Sequence, residues 1–240
     1  MKNLSTSAKA YIIGTILIGF GLVAWTAMKW DWTDPWLYSL AVLGAVAQTL
    51  KVEGPNARTN YSIAWFVYGF TFIALGMEAA IFVIVIAHLV EWIWHKYPWF
   101  IQSFNIGNHV IAVFLAGLVL RMTDWGTQAL DQYGTLGLVA ANMVFVFGNH
   151  FLVGAVVKLA RGQSFAESGV FEFLTLFLDF TVLSMGSVTA LIWQYNPLAS
   201  LLNILPLYLL YHALRVPALI RQLQDARKIG VQIQPNTSGD

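Results

Sequence analysis

The sequence predicts an all-α polytopic bundle in the membrane, with about eight transmembrane helices (six at the fewest) and both termini cytoplasmic. Three observations lead there. Of the 240 residues 58% are hydrophobic and only 10% charged, with a mean hydropathy of +0.66. A soluble domain carries about 25% charged residues, and a chain this short cannot bury so much apolar surface in one core. The apolar residues also fall into successive runs parted by short polar turns, and the cations gather on one side of those runs.

In order, the predicted crossings cover about 8–28, 35–50, 60–76, 77–94, 101–121, 134–159, 171–193 and 197–214. The first follows a weakly basic start and is apolar for about 20 residues, whereas the apolar core of a signal peptide spans ~7–15. A first transmembrane helix is therefore expected. The second and third runs are short for a bilayer that needs about 20 residues. Only Gly76 divides the third from the fourth, which predicts a tight hairpin or a broken helix. The fourth and fifth runs flank an aromatic, basic turn from Trp92 to Trp99, and Pro206 marks a kink in the last. Residues 1–215 form the bundle in this reading, and 216–240 a short cytoplasmic helix and a disordered tail from Gln232 to Asp240.

Charge placement supports this order. With the N-terminus inside, Lys2, Lys9, Lys51, Arg58, Lys96, Lys158, Arg161, Arg215, Arg221, Arg227 and Lys228 all fall on the cytoplasmic side. Only Lys29 and Arg121 fall outside, as the positive-inside rule requires. Trp25, Trp30, Trp32, Trp36, Trp125 and Trp193 mark the outer interface, and Trp92, Trp94 and Trp99 the inner one. Asp124 and Asp131 lie in the longest outer loop, about 122–133, so a ligand recognised from outside must enter the bundle or its mouth. In the tail, Val216, Leu219, Leu223 and Ala226 are spaced as a short coiled-coil seam. A basic helix end resting on anionic headgroups fits the same residues.

Several function classes are excluded or left without support. The chain has no cysteine, hence no disulfide framework, thiol catalysis or iron–sulfur ligation. No long block of like charge points to a nucleic-acid partner. No nucleophile elbow or phosphate-binding glycine loop is present, so no enzymatic activity is expected.

The polar residues within the spans carry the functional information. Lipid satisfies neither hydrogen bonds nor charge, so a polar stripe must face protein or water. His88, Glu91 and His95 lie within roughly 60° of one another on a helix of ~100° per residue. Gln102, Asn105, Asn108 and His109 share about 120° of the next helix. Asn142 and Asn149 are nearly eclipsed, as are Glu172 and Asp179. Gly-Asn-His occurs twice, at Gly107–His109 and Gly148–His150, on helices of opposite direction. Counted from the cytoplasmic ends, His88, His109, His150 and Asp179 all lie roughly 9–14 Å deep at 1.5 Å per residue, in one layer.

Three readings of that layer stay open. Asn and His act as interhelical glue, with Gly107 and Gly148 permitting close approach. Or the layer is a pocket for a small ligand or cofactor, a metal, haem or chlorin included, with Glu91, Glu172 and Asp179 supporting the imidazoles. Or it is an ion or proton path through Asp179, a mid-span carboxylate costing about 2.5–3.5 kcal/mol. His88, His109, His150, Asn105, Asn108, Asn149 and Asp179 are the candidate ligand- or cofactor-contacting residues. No cofactor is specified, and without an HExxH-like pattern no residue is assigned as a metal ligand.

From about Asn60 to Asp225 the chain resembles the multi-span N-terminal sensor modules of bacterial diguanylate cyclases and HD-type phosphodiesterases. The resemblance rests on Ala74-Leu75-Gly76 followed by Glu78-Ala79-Ala80, the turn from Glu91 to Pro98, Phe104-Asn105 and Ala116-Gly117. It continues in Asn149, Gly162, Ser164 and Phe165, and in the exit from Leu210 to Pro217. The resemblance implies a sensory module of the bacterial inner membrane, with Asn105 and Asn149 organising the bundle. No GGDEF- or HD-like sequence accompanies it, and the chain stops about 25 residues after the last predicted span. The expected function is a non-enzymatic, multi-pass sensor-type module. It binds a small apolar ligand or a membrane partner and relays through the cytoplasmic helix. The alternatives are an accessory subunit of a respiratory or photosynthetic complex and a His-ligated cofactor-binding membrane protein. Expected partners are the lipid bilayer and either other membrane subunits or a second copy.

Overall fold

The computed structural model describes residues 1, 4–53, 60–123 and 132–233. Lys2, Arg58, Asp124, Trp125, Asp131 and the tail beyond residue 233, all part of the sequence reading, lie outside that set. The described chain is helical apart from one two-stranded ladder. In order it forms α1 (Thr6–Ala27), α2 (Pro35–Thr49), β1 (Val52–Glu53), β2 (Asn60–Tyr61), α3 (Ala64–Ala74), α4 (Met77–His95), α5 (Trp99–Met122), α6 (Gln132–Arg161), α7 (Phe173–Tyr195), α8 (Pro197–Ser200), a 3-10 turn (Leu201–Asn203) and α9 (Ile204–Ile233).

Six helical segments are long and apolar enough to cross a membrane, the sixth running from Pro197 to Val216. The protein is therefore a multi-pass membrane bundle. The two short runs are short in three dimensions as well: α2 has 15 residues and α3 has 11. At 1.5 Å per residue these helices reach about 22 Å and 16 Å, less than the ~30 Å hydrocarbon core.

The ends of the helices follow from local chemistry. Ser5 caps α1 by accepting from the Ala8 amide (3.2 Å). Asp34 accepts from the Trp36 amide (2.9 Å) in front of Pro35, the first residue of α2. Gly76 takes φ +92°, a conformation that favours glycine, and reverses the chain between α3 and α4. Of the two expectations at this point, the tight hairpin is what forms. Pro206 lies in the first turn of α9, one turn beyond the 3-10 segment, where its missing N–H is least costly. The backbone stays helical from Pro197 through the 3-10 turn into α9, so the span is one path that tightens just before Pro206. Further on, α9 continues to Ile233, two residues into the segment expected to be disordered.

Helix α1 packs on α5, α5 on α6, α2 on α4, and α3 on α7. The centre is filled by Ile81, Ile84, Val110, Val113, Phe145 and Leu183, all essentially inaccessible. The outside is apolar too, with Leu17, Ile18, Val42, Phe147 and Val188 exposed, as lipid contact requires. Between helices, close approach replaces the hydrophobic effect. A Cβ on Gly69 would land on the Leu183 carbonyl oxygen, and one on Gly186 on that of Phe66. Gly186→Ala is therefore expected to destabilise the bundle by about 1–3 kcal/mol. Gly14→Ala, at a position open for 4 Å, should be near neutral. Equal unfolding midpoints for the two variants would contradict the α3–α7 contact.

Lys29 and Arg121, the two cations that depart from the charge rule, share one partner at the same end of the bundle. Arg121 donates to Glu78 Oε1 (2.8 Å), and Lys29 lies 3.8 Å from the same oxygen and over the Trp25 ring. Lys51 lies at the other end, and so do the N-terminus of α1 and the C-terminus of α6, which meet where Ser5 Oγ donates to Leu159 O.

Candidate functional site: a histidine cavity beside the short helices

Because α2 and α3 stop short, extended backbone enters the bundle at the Lys51 end. Val52 pairs with Tyr61 across the ladder, and both are buried. Non-helical backbone at such a depth is tolerated only inside protein or along a water-filled cavity. Such a cavity is present. It has a volume of about 260 Å³ and is lined by side chains from α2, α3, α4, α5, α6 and α7 and by the α6–α7 loop. That is room for several water molecules.

On one side of the cavity a buried network surrounds Glu91, itself wholly inaccessible. Its carboxylate pairs with the Lys51 ammonium and accepts from Gln48 Nε2 (2.9 Å) and Gln102 Nε2 (3.1 Å). Gln48 is oriented by Ser62 Oγ (3.2 Å) and Tyr68 OH (3.3 Å), both donating to its Oε1. Gln102 also donates to the His88 carbonyl (2.6 Å). Both amide nitrogens thus have closer acceptors than His88 Nδ1, which lies 3.1 Å from Glu91 Oε2. That nitrogen therefore carries the proton and donates it to the carboxylate. Its Nε2 is buried with no hydrogen-bond partner among the described residues.

His109 lies against His88, with ring centroids 4.6 Å apart and planes tilted by 52°. Its Nδ1 meets the Asn105 carbonyl (2.9 Å), which can only accept, so here too the proton is on Nδ1 and Nε2 keeps its lone pair. Tyr68 packs edge-on to the ring and Trp65 lies tilted against it at 39°. On the far side, His150 Nδ1 donates to Val170 O (2.8 Å), and its Nε2 lies 2.9 Å from Asp179 Oδ2. One proton must lie between Nε2 and Oδ2, whichever atom holds it. Asn108 Nδ2 donates to Asn149 Oδ1 (2.7 Å), joining the two Gly-Asn-His segments across α5 and α6.

Of the seven candidates from the sequence, His88, His109, His150, Asn105, Asn149 and Asp179 line this single cavity. Asn108 stands behind it, on Asn149. The wheel grouping of His88, Glu91 and His95 holds for two members only, since His95 is exposed and stacks on Tyr97. Asn142 is interhelical glue, donating to Ser184 Oγ and accepting from Ser187. Glu172 is at the N-cap of α7, away from the cavity lining.

Sequence reasoning missed Gln48, Lys51, Ser62, Tyr68 and Thr175. A clue was present in the polar Gln48-x-x-Lys51 end of a helix too short to span. In the α6–α7 loop, Ser164 and Glu167 close a reciprocal pair. The Ser164 amide and hydroxyl donate to Glu167 Oε2 (2.8 and 2.9 Å), and the Glu167 amide donates back to Ser164 Oγ (3.2 Å). These bonds hold the Glu167 carboxyl below the ordinary glutamate value and help fix the loop that supplies Val170.

Compared with known family models, curated proteins and solved structures, the chain finds no match.

Proposed function

We propose that the protein is a sensor-type module of the bacterial inner membrane, with six long crossings, the two short helices α2 and α3, and cytoplasmic termini, that binds a small ligand in the histidine cavity. The observation behind this reading is the cavity itself, where three of the chain's five histidines meet a lysine, a carboxylate and three amides. Such a lining suits a polar ligand better than the apolar one expected from the sequence. At about 260 Å³ it falls below the ~300–1,000 Å³ of pockets for drug-sized molecules, which argues against a tetrapyrrole. No chemical step is assigned to it.

A route for relay starts at Lys51, which touches Glu91 at the cavity and immediately precedes β1. Helix α9 packs against β1. A ligand that competes for Lys51 or Glu91 would shift that strand and, through it, the helix leading into the cytoplasm. The second reading, an accessory subunit of a larger membrane complex, is favoured by the last span, which buries almost none of its surface against its own bundle.

Native mass spectrometry of the protein released from its own membrane separates the two. The sensor reading expects a small adduct in stoichiometric amount, lost in His109→Ala. An adduct-free chain held in fixed ratio by other subunits would replace it with the accessory reading.

A further inference from the structure

We propose that His88 and His109 together form an exchangeable binding site for a borderline divalent transition-metal ion such as Zn²⁺ or Co²⁺. The proposal shares its cavity with the ligand-binding reading above and names that ligand's class.

Two independent observations carry it. First, His88 lines the cavity while its Nδ1 edge is closed by Glu91, Gln48 and Gln102. Its other ring nitrogen, Nε2, is buried and has no hydrogen-bond partner among the described residues. A carboxylate holding the far nitrogen of an imidazole is the arrangement that fixes tautomer and orientation in metal-binding histidines. Second, His109, which lines the same cavity, is fixed in the same tautomer by a backbone carbonyl and keeps the same lone pair. Neither ring has a donor for that lone pair among the described residues.

The spacing also fits. A metal bound through Nε2 at ~2.0–2.1 Å lies about 3.2 Å from the ring centroid. For both Nε2 atoms to meet one ion at the observed 4.6 Å between centroids, the two nitrogens would subtend roughly 90° at the metal.

Imidazole donors suit Zn, Cu, Fe and Ni over Mg or Ca. Among the described residues no three His, Asp or Glu side chains converge as a ready-made shell. The remaining positions therefore fall to cavity water, and His150 stays with Asp179. A site with two protein ligands and open positions exchanges its ion, unlike a closed four-ligand structural site. That suits sensing.

The test uses the full chain in nanodiscs, purified without a histidine tag, stripped with chelator and titrated with Co²⁺ and Zn²⁺. One equivalent per chain is expected, with a Co²⁺ absorption band that Zn²⁺ displaces. His88→Ala and His109→Ala should each weaken binding at least tenfold. Glu91→Gln should weaken it about 10–100-fold, as loss of an orienting carboxylate does, while His95→Ala and His212→Ala leave it unchanged. If His88→Ala does not yield a monodisperse protein, His88→Gln takes its place.

Absence of stoichiometric binding to the wild type overturns the proposal, and so does binding that survives both His88 and His109 substitutions. A spin label at Leu223→Cys keeps the two readings apart. Zn²⁺ binding that leaves the label's spectrum unchanged preserves the site and removes the relay. A small organic adduct in a protein that binds no Zn²⁺ preserves the cavity reading and removes the metal.

Discussion

Lys51→Met should lower the stability of the folded bundle by about 3–5 kcal/mol, the usual cost of breaking a buried ion pair from one side. Glu91 is wholly inaccessible, and among the described residues Lys51 is the only lysine or arginine that reaches it. The amides of Gln48 and Gln102 would remain, but they supply hydrogen bonds without charge. Lys51→Arg retains the charge and should cost much less. Lys51→Met combined with Glu91→Gln removes both charges and should recover more than half of the loss, as expected for residues coupled through one contact. Chemical unfolding of the four proteins in the same detergent checks this. A neutral Lys51→Met would mean that the ion pair closing the cavity does not form.

Asp179 should discriminate sharply between two substitutions of similar size. In Asp179→Leu the imidazole of His150 still donates through Nδ1 to Val170 O, but Nε2 faces an alkyl group. A buried polar atom left unpaired costs about 1–3 kcal/mol. In Asp179→Asn the side-chain amide donates to that nitrogen, and the geometry at 2.9 Å is preserved, so stability should stay within about 1 kcal/mol of wild type. The asparagine variant lacks the shared proton, so any proton-linked response of the protein should vanish in it while the fold persists. Unfolding midpoints measure the first effect. Should both variants unfold alike, the His150–Asp179 contact does not contribute as the geometry requires.

Much of this site was legible from sequence because its residues are polar in spans that are otherwise apolar. Asn and His inside a helix bound for lipid stand out, and helical period places them on one face. Depth counting along the helices then brought His88, His109, His150 and Asp179 to one level. The two Gly-Asn-His segments are joined through Asn108 and Asn149 rather than through glycine alone. Gly107 does allow close approach, to the backbone of α1 near Thr15, whereas Gly148 has ordinary space beside Ala112.

What periodicity could not supply was anything contributed by irregular backbone. Lys51 reads as a cation at a helix end, and only the ladder that follows it brings it to Glu91. Glu78 reads as a helix N-terminal acid, yet it unites Lys29 and Arg121 at the opposite end. Tyr68 and Ser62 belong to a segment too short and too apolar to attract attention. Each acts through partners remote in sequence, and pairings across helices leave no trace in local spacing.

The sequence by itself determined that this chain is a multi-pass helical membrane protein and which polar side chains the membrane forces inward. Both follow from one physical constraint, the absence of hydrogen-bonding partners in lipid. The tertiary structure alone decided that a cavity opens beside α2 and α3, that Lys51 reaches Glu91 there, and which partner holds each histidine nitrogen. Those outcomes depend on how six elements close around one another, and on single hydrogen bonds such as Asn105 O to His109 Nδ1. Helical period does not encode them, because it fixes the direction of a side chain and not the identity of what it meets.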